Sequence, residues 1–193
     1  MKLSPTDFFK KYAPYAMDTQ NKYGIPASIT LAQAALESGW GGSELTVLAN
    51  NFFGIKVPGN PKWYGKSINM ATGEVFNGVS QTINSDFRKY DSALDSFNDH
   101  ASFLLGNKRY SSLFTIPFSD PYYFIKWAQG LKAAGYATAT NYDTTLISMI
   151  NKYKLTEYDK QAVIKKKILI AAGLSLVIIV IIGTIYILLK KDK

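Results

Sequence analysis

Ile29-Thr30-Leu31-Ala32-Gln33-Ala34-Ala35-Leu36-Glu37-Ser38-Gly39-Trp40-Gly41 is the stretch on which the fold turns. Ile25-Pro26-Ala27-Ser28 opens it as a helix, and Gly39 stops it. Its alanines lie at spacings that let neighbouring helices approach closely, so the segment predicts a helix packed inside the core. Glu37 falls in the final turn of that helix, where the negative end of the helix dipole disfavours a carboxylate.

Working outward, Ser4-Pro5-Thr6-Asp7 is a helix start: a serine cap, proline at the first position and an acid in the first turn. The helix it opens runs to about Tyr23 and ends at Gly24. Between Trp40 and Tyr90 glycines and asparagines multiply and helical periodicity disappears. Glu74-Val75-Phe76 and Val79-Ser80-Gln81-Thr82-Ile83 flank Asn77-Gly78, a strong hairpin signal, and Phe87-Arg88-Lys89-Tyr90 reads as another short strand. Helical pattern returns at Ser92, paired with Asp95, and stops at Gly106. Further helices open at Asp120-Pro121, ending near Gly135, and after Asn141, running to about Tyr153. The expected class is α+β: a mainly helical lobe with a small β-hairpin lobe inserted after the second helix. Two lobes of different texture leave a cleft between them.

Several chemistries are excluded at once. There is one histidine, His100, and no cysteine, so a histidine or thiolate zinc cluster and a disulfide framework are ruled out, and His100, in a helix amid Phe97, Asn98 and Ser102, reads as an ordinary polar helix residue and not as the base of a Ser-His-Asp triad. No phosphate-binding glycine loop is present. No cofactor and no metal are expected; carboxylates and tyrosines are left to carry chemistry. Glu37 stands apart among them, because the helix end and apolar surroundings both raise a carboxyl pKa. An acid kept protonated near neutrality is what a glycosidic leaving oxygen requires. The plain alternative is a helix-terminal glutamate facing water. Glu74, beside the hairpin turn, would face the cleft from the opposite lobe, with Glu44 and Asp86 as rivals; a solvated turn residue is the ordinary reading. Trp40, Phe52, Phe53, Trp63 and Tyr64 crowd the glycine-rich region, and aromatic faces of this kind stack against sugar rings.

These residues resemble a known family. Leu31–Gly41 is similar to the signature of glycoside hydrolase family 73, bacterial endo-β-N-acetylglucosaminidases. Asn50-Asn51-Phe52-Phe53-Gly54-Ile55-Lys56 resembles its NNLFGIK stretch. Phe87-Arg88-Lys89-Tyr90-Asp91-Ser92 with Ser96-Phe97 resembles its FRxYxS…SF segment, and Gly135-Tyr136-Ala137-Thr138 with Asn141-Tyr142 its GYATDPxY motif. The resemblance covers roughly residues 5–155. It implies a lysozyme-like fold that cuts the β-1,4 bond between N-acetylglucosamine and N-acetylmuramic acid in peptidoglycan glycan strands. It also implies Glu37 as general acid, Glu74 as the β-lobe carboxylate and Tyr136 beside the reaction centre. Trp40, Asn51, Phe53, Trp63 and Tyr64 are the substrate-binding candidates. A lytic transglycosylase or muramidase of the same superfamily, or a silent wall-binding membrane protein, are the alternatives.

Past residue 155 the texture changes once more. Residues 156–167 read as a basic linker. From Ile168 to Leu189 run 22 residues without a charge, followed by a basic tail, 190–193. At about 1.5 Å per residue such a helix reaches roughly 33 Å, enough to cross a bilayer core. One C-terminal transmembrane helix over 168–189 is therefore expected. The net charge is +8, yet residues 1–160 hold 16 Lys+Arg against 13 Asp+Glu, so most of the excess flanks the apolar stretch. That pattern suits anionic lipid and argues against nucleic acid. The opening residues lack the apolar core of a signal peptide. Lysines at both ends of the span leave its orientation open, and the oligomeric state is not legible. A single-pass protein in the virion membrane of a bacterial virus, or in a bacterial inner membrane with its domain facing the wall, fits this layout.

Overall fold

The computed structural model describes residues 2–58, 62–76 and 79–172. Helix α1 (Pro5–Tyr23) begins where expected: the Ser4 hydroxyl accepts from the Asp7 amide, and the helix closes on Gly24 at φ 80°. Helix α2 (Ala27–Glu37) is the centre of the molecule. Nine of its eleven residues, Ala27 through Ala35, are buried, and α1, α5 and α6 pack around it. A helix apolar on every side is stable only in such a position.

After α2 the chain reverses through Gly39, Trp40 and Gly41, all at positive φ. The Ser38 hydroxyl holds the turn by donating to the Ala34 carbonyl (2.5 Å) and accepting from the Gly41 amide (2.8 Å). A short helix, α3 (Glu44–Ala49), follows inside the region expected to lack helix. Six residues are too few to produce a periodic pattern. The strands β1 (Ser67–Phe76) and β2 (Val79–Arg88) form one antiparallel hairpin, with Phe76 opposite Val79 and Ser67 opposite Arg88. Of the segment expected as a separate strand at Phe87–Tyr90, Lys89 and Tyr90 are loop, and Phe87 and Arg88 are instead the last two residues of β2. An isolated bridge from Lys56 to Phe87 ties the preceding loop to it.

The remaining helices are α4 (Ala93–Gly106), capped by Ser92; a 3-10 helix, Lys108–Thr115; α5 (Tyr123–Ala133); and α6 (Tyr142–Lys152). The hairpin lobe is fastened to α4 through Arg88. Its guanidinium, fully buried, meets the Asp99 carboxylate at 2.9 Å, donates to the Lys56 carbonyl, and lies 5.1 Å from the Trp63 ring. The Tyr90 hydroxyl donates to the same carboxylate at 2.7 Å.

The expected linker is corrected. Residues 156–172 are helical (α7), and Leu155 just before the helix packs on the domain together with Asp159 and Ala162 on it. That spacing of four and three residues is a helix stripe, hidden in the sequence because its middle member is an acid. Among the described residues no helix is long and apolar enough to cross a membrane. From residue 173 onward the expected span lies outside the described residues.

Candidate active site

A groove of about 740 Å³ runs between the helical lobe and the base of the hairpin. Glu37 and Tyr136 line it, as do Glu44, Phe53, Arg109 and Met70 of β1. Glu37 reaches it because α2 ends there: the buried body of the helix fixes the backbone, and the last turn emerges at the groove. Glu37 is accessible to solvent through the open side, while protein surrounds the carboxyl on the others. Burial pushes its pKa above the ordinary carboxylate value, against a smaller downward pull from a hydrogen bond with Tyr142. Both readings of the sequence meet here: the side chain is exposed on the groove side, and the protein behind it still desolvates the carboxyl.

Tyr142 was not singled out by the sequence, although it closes the GYAT…NY motif. It is 3% exposed and accepts from the Gln33 amide Nε2 at 2.9 Å. With that acceptor position filled, its own proton is directed at Glu37. Gln33 lies one turn before Glu37 on α2, so a single helix supplies both ends of the chain Gln33–Tyr142–Glu37. Tyr136 stacks on Tyr142 with ring centroids 5.7 Å apart at 23°, and meets His100 edge-on at 5.9 Å. Desolvation holds its hydroxyl protonated, with nearby Tyr142 and Glu37 adding to the effect. Glu37 and Tyr136, predicted apart in sequence, are therefore brought together.

Phe53 also belongs to the groove: it is 4% exposed and stacks on His100 at 3.8 Å and 9°. His100 lies beneath it, wholly buried, with neither ring nitrogen hydrogen-bonded. Burial lowers its pKa to about 3, so it is a neutral packing element.

The other expected sugar-binding residues are placed elsewhere. Trp40 turns inward, its indole packed edge-on against Phe8, Phe9 and Tyr153. Asn51 is buried and structural: its amide donates to the Ile55 and Arg88 carbonyls while its oxygen accepts from the Phe53 and Ile55 amides. It shapes the loop that presents Phe53 and does not face the groove. Trp63 packs on Tyr90 and Arg88 and donates to the Lys66 carbonyl, and Tyr64 is 84% exposed; neither lines the groove. Glycine-rich surroundings suggested openness, whereas the aromatics there mostly close the lobe junction.

Of the carboxylates, Glu44 lines the groove at the start of α3, and Asp86 accepts from Asn69 on the exposed hairpin. The backbone of Glu74 stands on β1 opposite Gln81; its side chain lies outside the described residues. Among the described residues no three His, Cys, Asp or Glu side chains are grouped to hold a metal ion.

Residues 13–155 match the family model described as glucosaminidase, mannosyl-glycoprotein endo-beta-N-acetylglucosaminidase. The exo-glucosaminidase LytG of Bacillus subtilis is 37% identical over 153 residues, covering 79% of this chain and 53% of that protein. The peptidoglycan hydrolase FlgJ of Escherichia coli K12 is 36% identical over 135 residues, 68% of this chain and 41% of that one. The chain thus spans about half the length of these relatives. The catalytic domain of the autolysin Auto from Listeria monocytogenes superposes with a TM-score of 0.68 at 34% identity, covering 80% of this chain and 86% of that one. The glycoside hydrolase domain of Salmonella typhimurium FlgJ, truncated at its C-terminus, gives 0.60 at 33%, covering 78% and 98%. The fold is the lysozyme-like, mostly helical α+β architecture with a two-stranded hairpin.

Proposed function

The chain belongs to the glucosaminidase family, and from that premise we propose that it hydrolyses peptidoglycan at the β-1,4 bond between N-acetylglucosamine and N-acetylmuramic acid. The observation that carries this reading is Glu37. It is a carboxyl of raised pKa at the end of a buried helix, in a groove of about 740 Å³ lined also by Tyr136, which stacks on the buried Tyr142 behind it. In the reaction the Glu37 proton passes to the glycosidic oxygen as the anomeric C–O bond breaks, and water supplies the hydroxyl that replaces it. Tyr142 holds the Glu37 carboxyl in place, and Tyr136 borders the reacting sugar. The attacking partner is either water activated by Glu74 or the substrate's own N-acetyl oxygen.

Digestion of purified peptidoglycan followed by mass spectrometry tests the reading. Products ending in reducing N-acetylglucosamine support it. Anhydro-muramic ends would assign a lytic transglycosylase instead, and no products at all would leave only a wall-binding protein.

Residues 168–189 complete the proposal as a membrane anchor, supported by their lack of charge and by the lysines on either side. The anchor keeps the domain beside the wall, at a virion membrane or a bacterial inner membrane. Flotation of the full chain with lipid vesicles after an alkaline carbonate wash is the expected behaviour.

A further inference from the structure

Leu155, just ahead of helix α7, and Asp159 and Ala162 on it are buried, and the helix keeps to the end of α1 beyond them, Lys166 donating to the Asn21 carbonyl at 3.3 Å. The joint is rigid. Asp159, 3% exposed, accepts from the Ser28 amide at 2.8 Å and from the Tyr123 hydroxyl. Gln20 donates to the Asp159 carbonyl at 2.9 Å while accepting from the Ala27 amide, and Asn21 donates to the Ala162 carbonyl at 3.1 Å. Three helices, α1, α2 and α7, are thereby locked at one corner.

At that corner a hollow of about 490 Å³ opens between the end of α1 and α7. Phe118, Val163 and Ile170 form its apolar part, Lys22, Lys166 and Lys167 its charged part, and among the described residues no acid lines it. Of its apolar members Phe118 is 39% exposed, Val163 40% and Ile170 54%. A soluble surface rarely gathers such a patch within a collar of lysines. An interface of apolar depth and cationic rim is what an anionic bilayer surface complements. The sequence agrees, since the residues of α7 are followed along the chain by the rest of the uncharged stretch that ends at Leu189.

We propose that this corner seats the catalytic domain on anionic lipid headgroups, so that the groove is held at a fixed attitude to the bilayer and not swung on a tether. The proposal rests on residues 168–189 being the anchor. Because the chain has no cysteine, single-cysteine variants can be labelled cleanly. The full chain carrying Phe118→Cys or, as a distant control, Tyr64→Cys is labelled with an environment-sensitive fluorophore. It is then reconstituted into phosphatidylcholine vesicles with or without phosphatidylglycerol and containing a spin-labelled lipid quencher. Quenching is expected at position 118 only with the anionic lipid, falling to the position-64 level as salt is raised. Combined Lys22→Glu, Lys166→Glu and Lys167→Glu substitution should abolish it while the chain still floats with the vesicles. A chain that floats yet shows no lipid-dependent quenching at 118 overturns the docking and spares the anchor. Quenching indifferent to salt and to the charge reversal also overturns it, as does protection of position 118 that depends only on protein concentration, which would assign the corner to a second copy. A chain that fails to float removes the anchor and the docking together, without touching the glycosidase reading.

Discussion

Tyr142 aims its hydroxyl proton at the Glu37 carboxyl because Gln33, one turn earlier on the same helix as Glu37, already donates to the Tyr142 oxygen. The position of the acid and its hydrogen-bond partner are thus set by one buried helix. Glu37→Gln keeps the shape and removes the transferable proton; hydrolysis of purified peptidoglycan should fall by at least about a hundredfold, the usual scale for losing a general acid. Folding, followed by circular dichroism, should be unchanged.

Tyr142→Phe should move the pH profile. The tyrosine stabilises the ionised carboxylate and so lowers the pKa of Glu37; without it the pKa rises further. A general acid is active while protonated, so the alkaline limb of kcat/KM should shift to higher pH. A downward shift in the measured profile would mean that Glu37 does not act as the acid.

His100 makes the domain sensitive to acid. Its folded-state pKa of about 3 lies below the ordinary 6.5, so between those values the unfolded chain binds a proton that the folded chain does not. Stability from this residue is complete above about pH 6.5 and is lost as pH falls toward 3. His100→Phe keeps the ring stacked on Phe53 and removes two unpartnered nitrogens. It should cost less than about 1.5 kcal/mol at pH 7 and flatten the decline on acidification, as read by urea unfolding at several pH values.

The lobe junction depends on Arg88. Removing it takes the cation from Asp99, whose carboxylate keeps the Tyr90 hydroxyl, and loss of one member of a largely buried ion pair costs about 3 kcal/mol. Arg88→Ala should therefore lower the midpoint of thermal unfolding more than Lys66→Ala, whose partner Asp91 is largely exposed.

Asp159 closes the start of α2, where Pro26 offers no side-chain cap. Asp159→Ala should cost about 1–2 kcal/mol, the scale of a lost helix cap, whereas Asp159→Asn, which can still accept from the Ser28 amide, should cost less. Thermal unfolding of the two variants gives the comparison.

Helices with strong punctuation were legible from the residues alone. Ser4-Pro5 opens α1, Gly24 closes it, and Ser92 with Asp95 opens α4, each through a bond that the structure contains. The position of Glu37 was equally plain, because an alanine-rich helix can only be central and its end must emerge somewhere. What was hidden depends on partners distant in sequence. Trp40 and Asn51 resembled binding residues because glycines surround them, yet a side chain's direction is set by the turn it sits in and by what packs across from it. Tyr142 carried no local mark of its contact with Glu37, more than a hundred residues earlier. Residues 156–167 read as a basic linker because they are polar and end in three lysines, and the buried acid that locks them down is meaningful only beside the amide it caps.

That lock has a consequence for how such an enzyme can be regulated. A flexible stalk can be clipped by a protease to release an active domain, but here severing the chain near residue 156 would strip the helix bearing Glu37 of the carboxylate at its opposite end. Truncation there would therefore cost the catalytic helix its cap along with the α7 contacts, so the span needed for a well-held Glu37 runs past residue 155, through Ala162.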